Sequence, residues 1–515
     1  MFGKRGRRFV LLSSVSFGTT SGAKPQDVSS QDDGRKPEED VARAAEKPTS
    51  KSADVVGADA TEPSASSSSA SSGAFAESPA VASSASGASS VWHDVAGGLL
   101  SGSAERDAHL TKAGLSPEKS AEFTAQLEKA IVSGALEEKK RIIDWIHANL
   151  LPRENVSMPY LGPPGPVNPL GLPYGLIPPV VVSHGISSSC YEVSAMHLIP
   201  FLRNYLNTYV TCVSVGGTTE LEQYVASWFY GYKSSVDTWA GLIRSDPKLK
   251  NGFLGFGFSQ GNGILRGYIQ RYNNPPVLTW IATHGVLGGV GAIPGLDPLS
   301  AALRDIYRPL SNLVGILCTS AFLVNRITPC GYFRNPAQVN DTQFRRNSEI
   351  AKMNGEDDSS DIVPHPVKSN FNLTDKFVFV KGLEDNIILP RDAEWWAFYG
   401  DNYDTIYTMP HQPWYINNTF GLRTIVEAGK TFFRTTPRGH MQIKNSEMKV
   451  LLDDYVIPAE YRRKDWGPVP PSYDPTQGEI VGTGLNADIR YIDVGPGSGS
   501  IANDGLDASS EAVYM

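Results

Sequence analysis

Cysteine is scarce in this chain of 515 residues, which has four: Cys190, Cys212, Cys318 and Cys330. No two are spaced as CxxC, which argues against a zinc site, and their density is far below that of a disulfide scaffold. Only Cys318 and Cys330 are close enough in sequence to invite a bridge. Basic clusters are also lacking. The 46 Lys and Arg are outnumbered by 54 Asp and Glu, giving a net charge of −8, and no long basic stripe could track a phosphate backbone, so nucleic acid is not an expected partner. The longest apolar run after the N-terminus, Leu313–Val324, falls short of the roughly 20 residues of a membrane helix, so no stable membrane span is expected and a core or lid helix is. No cofactor motif stands out.

What is present is unevenly distributed. Hydrophobic residues make up 41% of the whole, enough for a sizeable core, yet residues 1–105 are dominated by Ser, Ala and Gly, as in SASSSSASSGAF (64–75). Such small side chains cannot offset the entropy of ordering a backbone, and disorder is expected there. The tail from 466 to 515 is rich in Pro and Gly without hydrophobic period and is read the same way. The first residues, MFGKRGRRFVLLSS, place a basic head before a short apolar run, which fits either a secretory signal or a disordered tail with a basic start. Glycosylation sequons at Asn155, Asn340, Asn372 and Asn417 would suit a secretory route.

Residues 106–150 carry a helical extension. Ser116 can cap, Pro117 suits a first turn, and Phe123, Leu127 and Ile131 recur at helical spacing, followed by Ile142, Ile143, Ile146 and Leu150 in a second helix. A Pro/Gly-rich linker at 151–177 separates this pair from the main domain, 178–465. There the rhythm is of short apolar, β-branched runs: 179–185, 209–217, 252–261, 276–285, 376–385 and 430–440. Runs of that kind are strands covered on both faces, so the expected class is α/β with a mostly parallel, doubly wound sheet.

The third run ends in Gly257-Phe258-Ser259-Gln260-Gly261, a GxSxG between a strand and a helix, which is the context of a nucleophile elbow. A tight turn would clash with side chains at 257 and 261 and would raise the Ser259 hydroxyl at the carboxyl edge of the sheet. A serine nucleophile needs a base and an acid, which in such sheets follow in the order Ser, Asp or Glu, His. Among the histidines, His440 follows the last strand-like run directly and is preferred over His411 in a Pro-bounded loop. Asp385 closes the fifth run and is the preferred acid, with Glu384 and Asp392 as fallbacks. Backbone N–H groups of Gln260 and of Ile186, in the loop after the first strand, are the expected oxyanion donors. His184 reads as a structural residue orienting that loop. Leu299, Leu303, Ile306, Leu310, Leu313 and Leu317, with Pro309 as a break, make 296–330 either a helical lid that holds an acyl chain or a plain cover for the sheet.

Three stretches, GFGFSQGNGILRGYIQRYNNPPV, KFVFVKGLEDNIILPRDAEWWAFYG and FGLRTIVEAGKTFFRTTPRGHMQI, resemble the palmitoyl-protein thioesterase family of α/β-hydrolases, over about residues 178–455. Asp385 followed by Pro390, Asp392, Glu394-Trp395 and Phe398-Tyr399 is similar to the acid-bearing segment, and Ser183-His184-Gly185-Ile186 to the oxyanion loop. The resemblance implies the triad Ser259, Asp385, His440. It also implies a lysosomal or secretory location and, as partners, S-palmitoylated proteins and other long-chain acyl thioesters. A thiol leaving group, with a pKa of about 8.5, departs with little acid assistance. Two departures stand out. The family's paired cysteines after the oxyanion loop become Cys190-Tyr191 and its lid disulfides find no counterpart, and HGVLGGV after the fourth strand lacks the expected Gln-His. A lipase or carboxylesterase acting on oxygen esters, and a non-catalytic hydrolase-like scaffold, are the alternative readings.

Overall fold

The computed structural model describes residues 116–149, 164–293, 311–312, 314–356, 367–401, 403, 405–462, 478–481 and 488–491. All of these fall in one unit, Ala82–Met515. The proposed signal and part of the proposed lid, residues 296–310 and 313, lie outside the described residues.

Six strands form the central sheet: β1 (Val180–Ser183), β2 (Val210–Cys212), β3 (Phe253–Phe258), β4 (Val277–Thr283), β5 (Lys376–Gly382) and β8 (Thr431–Thr436). Their order is β2-β1-β3-β4-β5-β8, with every neighbouring pair parallel. This is the parallel, doubly wound α/β arrangement expected from the apolar runs, and the α/β-hydrolase fold that the resemblance implies. Alternation along the strands divides the core in two. Val181, Phe253, Phe377 and Phe379 face one hydrophobic cluster with Trp239, Tyr268 and Trp280, while Val180, Val182, Phe256, Val378 and Val380 face another. Each large side chain so buried contributes about 1.5–3 kcal/mol. Two short strands, β6 (Phe398–Tyr399) and β7 (Ile406–Tyr407), pair antiparallel in a separate small sheet.

The extension folds as α1 (Pro117–Ser133) and α2 (Leu136–Asn149). The Ser116 hydroxyl accepts from Lys119 N–H and Gly134 closes α1 in the left-handed region at φ 66°. Phe123 stacks at 5.1 Å on Trp145, and Leu127, Ala130, Ile142 and Trp145 bury themselves in the same cluster as Tyr232 and Trp239 of the hydrolase core. The helices that follow are α3 (Val193–Leu206), α4 (Glu220–Phe229), α5 (Tyr232–Ser245), α6 (Gln260–Arg271) and, near the end, α7 (Asn445–Tyr455).

One feature of the tail was not foreseen and one expectation is corrected. Within the tail, β9 (Gly478–Val481) and β10 (Asp488–Tyr491) pair as an antiparallel hairpin, while the rest of 466–515 lies outside the described residues. Their Ile, Val and Tyr residues favour a pleated backbone that Pro and Gly nearby obscure. Cysteine pairing was also underestimated. Cys318–Cys330 is bridged in the region assigned to the lid, and Cys190 is bridged to Cys212. Cys190 follows β1, Cys212 ends β2, and these strands are sheet neighbours, a proximity that their separation of 22 residues hides.

Closing a loop of that length by a disulfide is worth about 3 kcal/mol through the unfolded state. Replacing Cys190 and Cys212 together by Ser is therefore expected to lower unfolding stability by about 3 kcal/mol, read as a shifted midpoint in guanidinium titration with an unchanged fold by circular dichroism.

Candidate active site

The chain runs from β1 to β2 on one side and then crosses to β3 on the other, so β1 and β3 flank the point where the winding reverses. In open α/β sheets that point, at the carboxyl ends of the strands, is where ligands bind. Ser183 at the end of β1 is in register with Gly257 of β3, and Ser259 comes directly after β3.

Ser259 sits at φ 50°, ψ −123°, a conformation that costs about 1–3 kcal/mol and must be held by its surroundings. Ser259 N–H donates to Thr283 O (3.1 Å), Asn262 Nδ2–H donates to the same carbonyl (2.9 Å), and the Thr283 hydroxyl donates to Gly257 O (2.8 Å). A Cβ at 261 would stand 2.1 Å from Ser183 O and 2.6 Å from His184 O, and one at 257 would stand 2.0 Å from Asn262 Oδ1. Only glycine lets α6 start this close to β1.

The loop after β1 runs against the serine, since a Cβ on Gly185 would lie 3.2 Å from Ser259 Cβ. His184 ties that loop down through Nδ1 to Gly185 O (2.8 Å) and Nε2 to Ser214 Oγ (2.6 Å). Its burial depresses its pKa, which keeps the ring neutral. Ile186 follows, and Ser187, at φ 54°, donates its N–H to Ser227 Oγ of α4 (2.9 Å). Gln260 opens α6, where the first N–H groups have no acceptor within the helix. Its side chain is fixed elsewhere, donating to Ser227 O (2.9 Å) and accepting from the Tyr332 hydroxyl (2.8 Å).

Among the candidate acids and bases, the structure brings Asp385 and His440 together. Asp385 lies just beyond β5 and His440 just beyond β8, both buried, with Asp385 Oδ2 2.5 Å from His440 Nδ1. Asp385 Oδ1 accepts from the N–H groups of Ile387 (2.8 Å) and Ile388 (3.0 Å). Burial alone would raise the Asp385 pKa, but the neighbouring His440 and the hydrogen bonds hold it well below the usual carboxylate range. The fallbacks are placed otherwise. Glu384 is exposed, Asp392 is paired with buried Lys381 at 2.8 Å, and His411 Nδ1 engages Thr408 Oγ1 at 2.7 Å.

Two residues that sequence reasoning gave no role complete the cluster. Glu394 is buried, its Oε2 accepts Gly382 N–H (2.9 Å), it shares a hydrogen bond with Asp385, and no donor among the described residues reaches its Oε1. Burial first, and then the charge of Asp385, push its pKa well above the ordinary value, which favours its neutral form. His284 is also buried: Nδ1 accepts Met441 N–H (2.7 Å) and Nε2 pairs with Thr436 Oγ1 (2.9 Å). Its pKa is pushed down to about 3, chiefly by burial. The ligand atoms of His284, Asp385 and His440 lie within 4.8 Å of one another. Because the His284 lone pair is already taken by Met441, the arrangement is a hydrogen-bond network rather than a metal centre. The signal for both residues was faint: a Glu within an aromatic run, and a His at a strand exit.

The family model for palmitoyl protein thioesterases matches residues 179–440, half of the chain, from β1 to His440. The chain belongs to that family. Palmitoyl-protein thioesterase 1 of Caenorhabditis elegans is 28% identical over 282 residues, covering 54% of this chain and 90% of that protein. Palmitoyl-protein thioesterase 3 of Dictyostelium discoideum is 27% identical, covering 51% and 84%. Lysosomal thioesterase PPT2 of Mus musculus is 25% identical, covering 50% and 79%. Palmitoyl protein thioesterases are thioester hydrolases, and this chain is an enzyme of that class. Both α1 and α2 precede the matched segment.

Gly261→Ala is expected to abolish covalent labelling of this thioesterase by a long-chain fluorophosphonate, because the added methyl meets two backbone carbonyls that cannot yield. The comparison is with an exposed control such as Gly134→Ala in the same labelling assay.

Proposed function

We propose that this enzyme removes long-chain fatty acyl groups from protein cysteines by a serine, histidine and aspartate mechanism. The observation that carries this reading is the buried pairing of Asp385 with His440 on the two strand ends beyond the Ser259 elbow. His440 takes the Ser259 proton as the hydroxyl adds to the thioester carbonyl, and Asp385 fixes the ring through Nδ1 and stabilises its cation. The N–H groups of Gln260 and Ile186 receive the developing oxyanion. The C–S bond breaks, the cysteine sulfur takes the proton held by His440 and leaves as the thiol, and the neutral ring then deprotonates a water that releases the fatty acid from the acyl-enzyme and returns the proton to Ser259. Glu394, protonated, donates to Asp385 and so keeps the aspartate an acceptor aimed at His440. The acyl group is assigned by family membership, and the leaving thiol by the ease of its departure.

A secretory or lysosomal site of action is supported by three features. All four cysteines are paired, the described sequons at Asn340, Asn372 and Asn417 are exposed, and one relative carries a lysosomal name.

Release of palmitate from a palmitoyl-cysteine peptide is expected from the full chain. It should fall by roughly 10⁴ in Asp385→Asn, which leaves His440 in the wrong tautomer, and vanish with probe labelling in Ser259→Ala. Labelling with turnover of oxygen esters alone would point to a lipase, and neither signal from folded protein to a binding scaffold.

Glu394 gives a separate test with a defined sign. A carboxyl whose folded pKa is raised stabilises the fold fully below its unfolded value near 4.3, and that stability is lost as pH rises through the folded value. Glu394→Gln cannot ionise, so its stability relative to wild type should grow by up to ~1.4 kcal/mol per pH unit across that window. Its amide preserves both hydrogen bonds and activity should stay within about threefold, whereas Glu394→Ala should lose on the order of 10-fold. Thermal melts and kcat/KM measured from pH 4 to 8 read both.

A further inference from the structure

From outside the family segment, His147, two residues from the end of α2, reaches the loop after β1. Its Nε2 lies 3.0 Å from Ser187 Oγ, and Ser187 belongs to the loop whose neighbouring N–H, that of Ile186, is assigned to the oxyanion. Three further contacts converge on the same serine. Trp228 Nε1–H donates to Ser187 Oγ (2.7 Å), Tyr224 shares a hydrogen bond with it, and Ser187 N–H donates to Ser227 Oγ (2.9 Å). His147 and Trp228 also meet edge to face, with centroids 5.9 Å apart.

The chemistry of these groups ranks them. An indole N–H can only donate, so Trp228 occupies a lone pair of the hydroxyl and leaves its proton for an acceptor. His147 is held neutral by burial and presents a ring nitrogen at hydrogen-bond distance. Ser187 is a non-glycine residue at φ 54°, a backbone state that needs external support. The loop carries that strain next to Ser259, whose Cβ would be 3.2 Å from a methyl on Gly185. A displacement of even about 1 Å in an oxyanion donor is enough to slow a reaction substantially.

We propose that His147 is a positioning residue for the oxyanion loop, acting through Ser187, so that the helical extension outside the family segment is a working part of the catalytic site. The two helices do more than cover apolar surface: α2 fixes the backbone that receives the negative charge of the tetrahedral intermediate. The inference rests on the thioesterase reading for its substrate, but not for its geometry.

The test uses the full chain with His147→Ala, His147→Gln, Ser187→Ala and the double variant His147→Ala/Ser187→Ala. Palmitoyl-cysteine peptide turnover, the labelling rate of Ser259 by a long-chain fluorophosphonate, and amide hydrogen exchange of the 183–190 segment are measured. His147→Ala is expected to lower kcat and the labelling rate on the order of 10-fold with KM little changed. Exchange of the loop should accelerate while α6 stays protected. His147→Gln should recover most of the loss, and the double variant should be no worse than the more impaired single, because both remove one interaction. A folded His147→Ala with wild-type kcat, labelling and loop exchange would overturn the proposal, as would full additivity of the two changes. Should His147→Ala not fold, Ser187→Ala, which removes a single oxygen, decides by the same readouts. If the wild type is labelled but leaves the palmitoyl thioester intact, the substrate assignment fails while labelling rates and loop exchange still judge the role of His147.

Discussion

Everything at this site depends on how closely the first turn of α6 approaches the end of β1. With Ser183 O placed 2.1 Å from where a methyl on residue 261 would stand, the helix could not start there with any other residue, and Ser259 could not be forced into its strained turn. That approach has two effects at once. It lifts the serine to the carboxyl edge of the sheet, and it brings the loop after β1 alongside it. The elbow serine and the loop after β1 are thereby juxtaposed by one steric fact, before any polar contact is considered.

On that frame sits a row of buried ionisable groups whose protonation is fixed by their neighbours. Lys381 pairs with Asp392, Glu394, pushed toward its neutral form, shares a hydrogen bond with Asp385, Asp385 holds His440, and His284 is kept neutral while it braces Met441 and Thr436. In a low-dielectric interior each such contact is stronger than in water, and an unpaired member would be correspondingly unfavourable. The two buried carboxyls are driven in opposite directions, Asp385 toward its charged form and Glu394 toward its neutral one, so the negative charge is concentrated beside His440.

Much of this could be read in the chain beforehand, for identifiable reasons. Buried parallel strands write themselves as continuous apolar runs, and all six were visible. The elbow announces itself through glycines that have no substitute, and chain order reduces nine histidines to a short choice. The remainder depends on contacts between distant segments. Nothing local to Cys190 indicates Cys212, because their meeting is a property of adjacent strands. Glu394 looked like one more polar residue in an aromatic segment until β5 placed Gly382 against it. The hairpin near the end was hidden by the Pro and Gly around it, and the contact of His147 with Ser187 spans 40 residues and a linker.

The packing of α1 and α2 has a consequence for how such a protein can change over time. Leu127, Ala130, Ile142 and Trp145 share one apolar cluster with residues of a helix that covers the sheet, such as Tyr232 and Trp239 of α5. An appendage that began as a dispensable addition would, once the underlying surface drifted toward larger apolar side chains, become irremovable, since its loss would leave that surface bare to water. The boundary set by kinship and the boundary set by folding have thus come apart: the shared segment begins at 179, while the unit that can shed water from its core begins some sixty residues earlier.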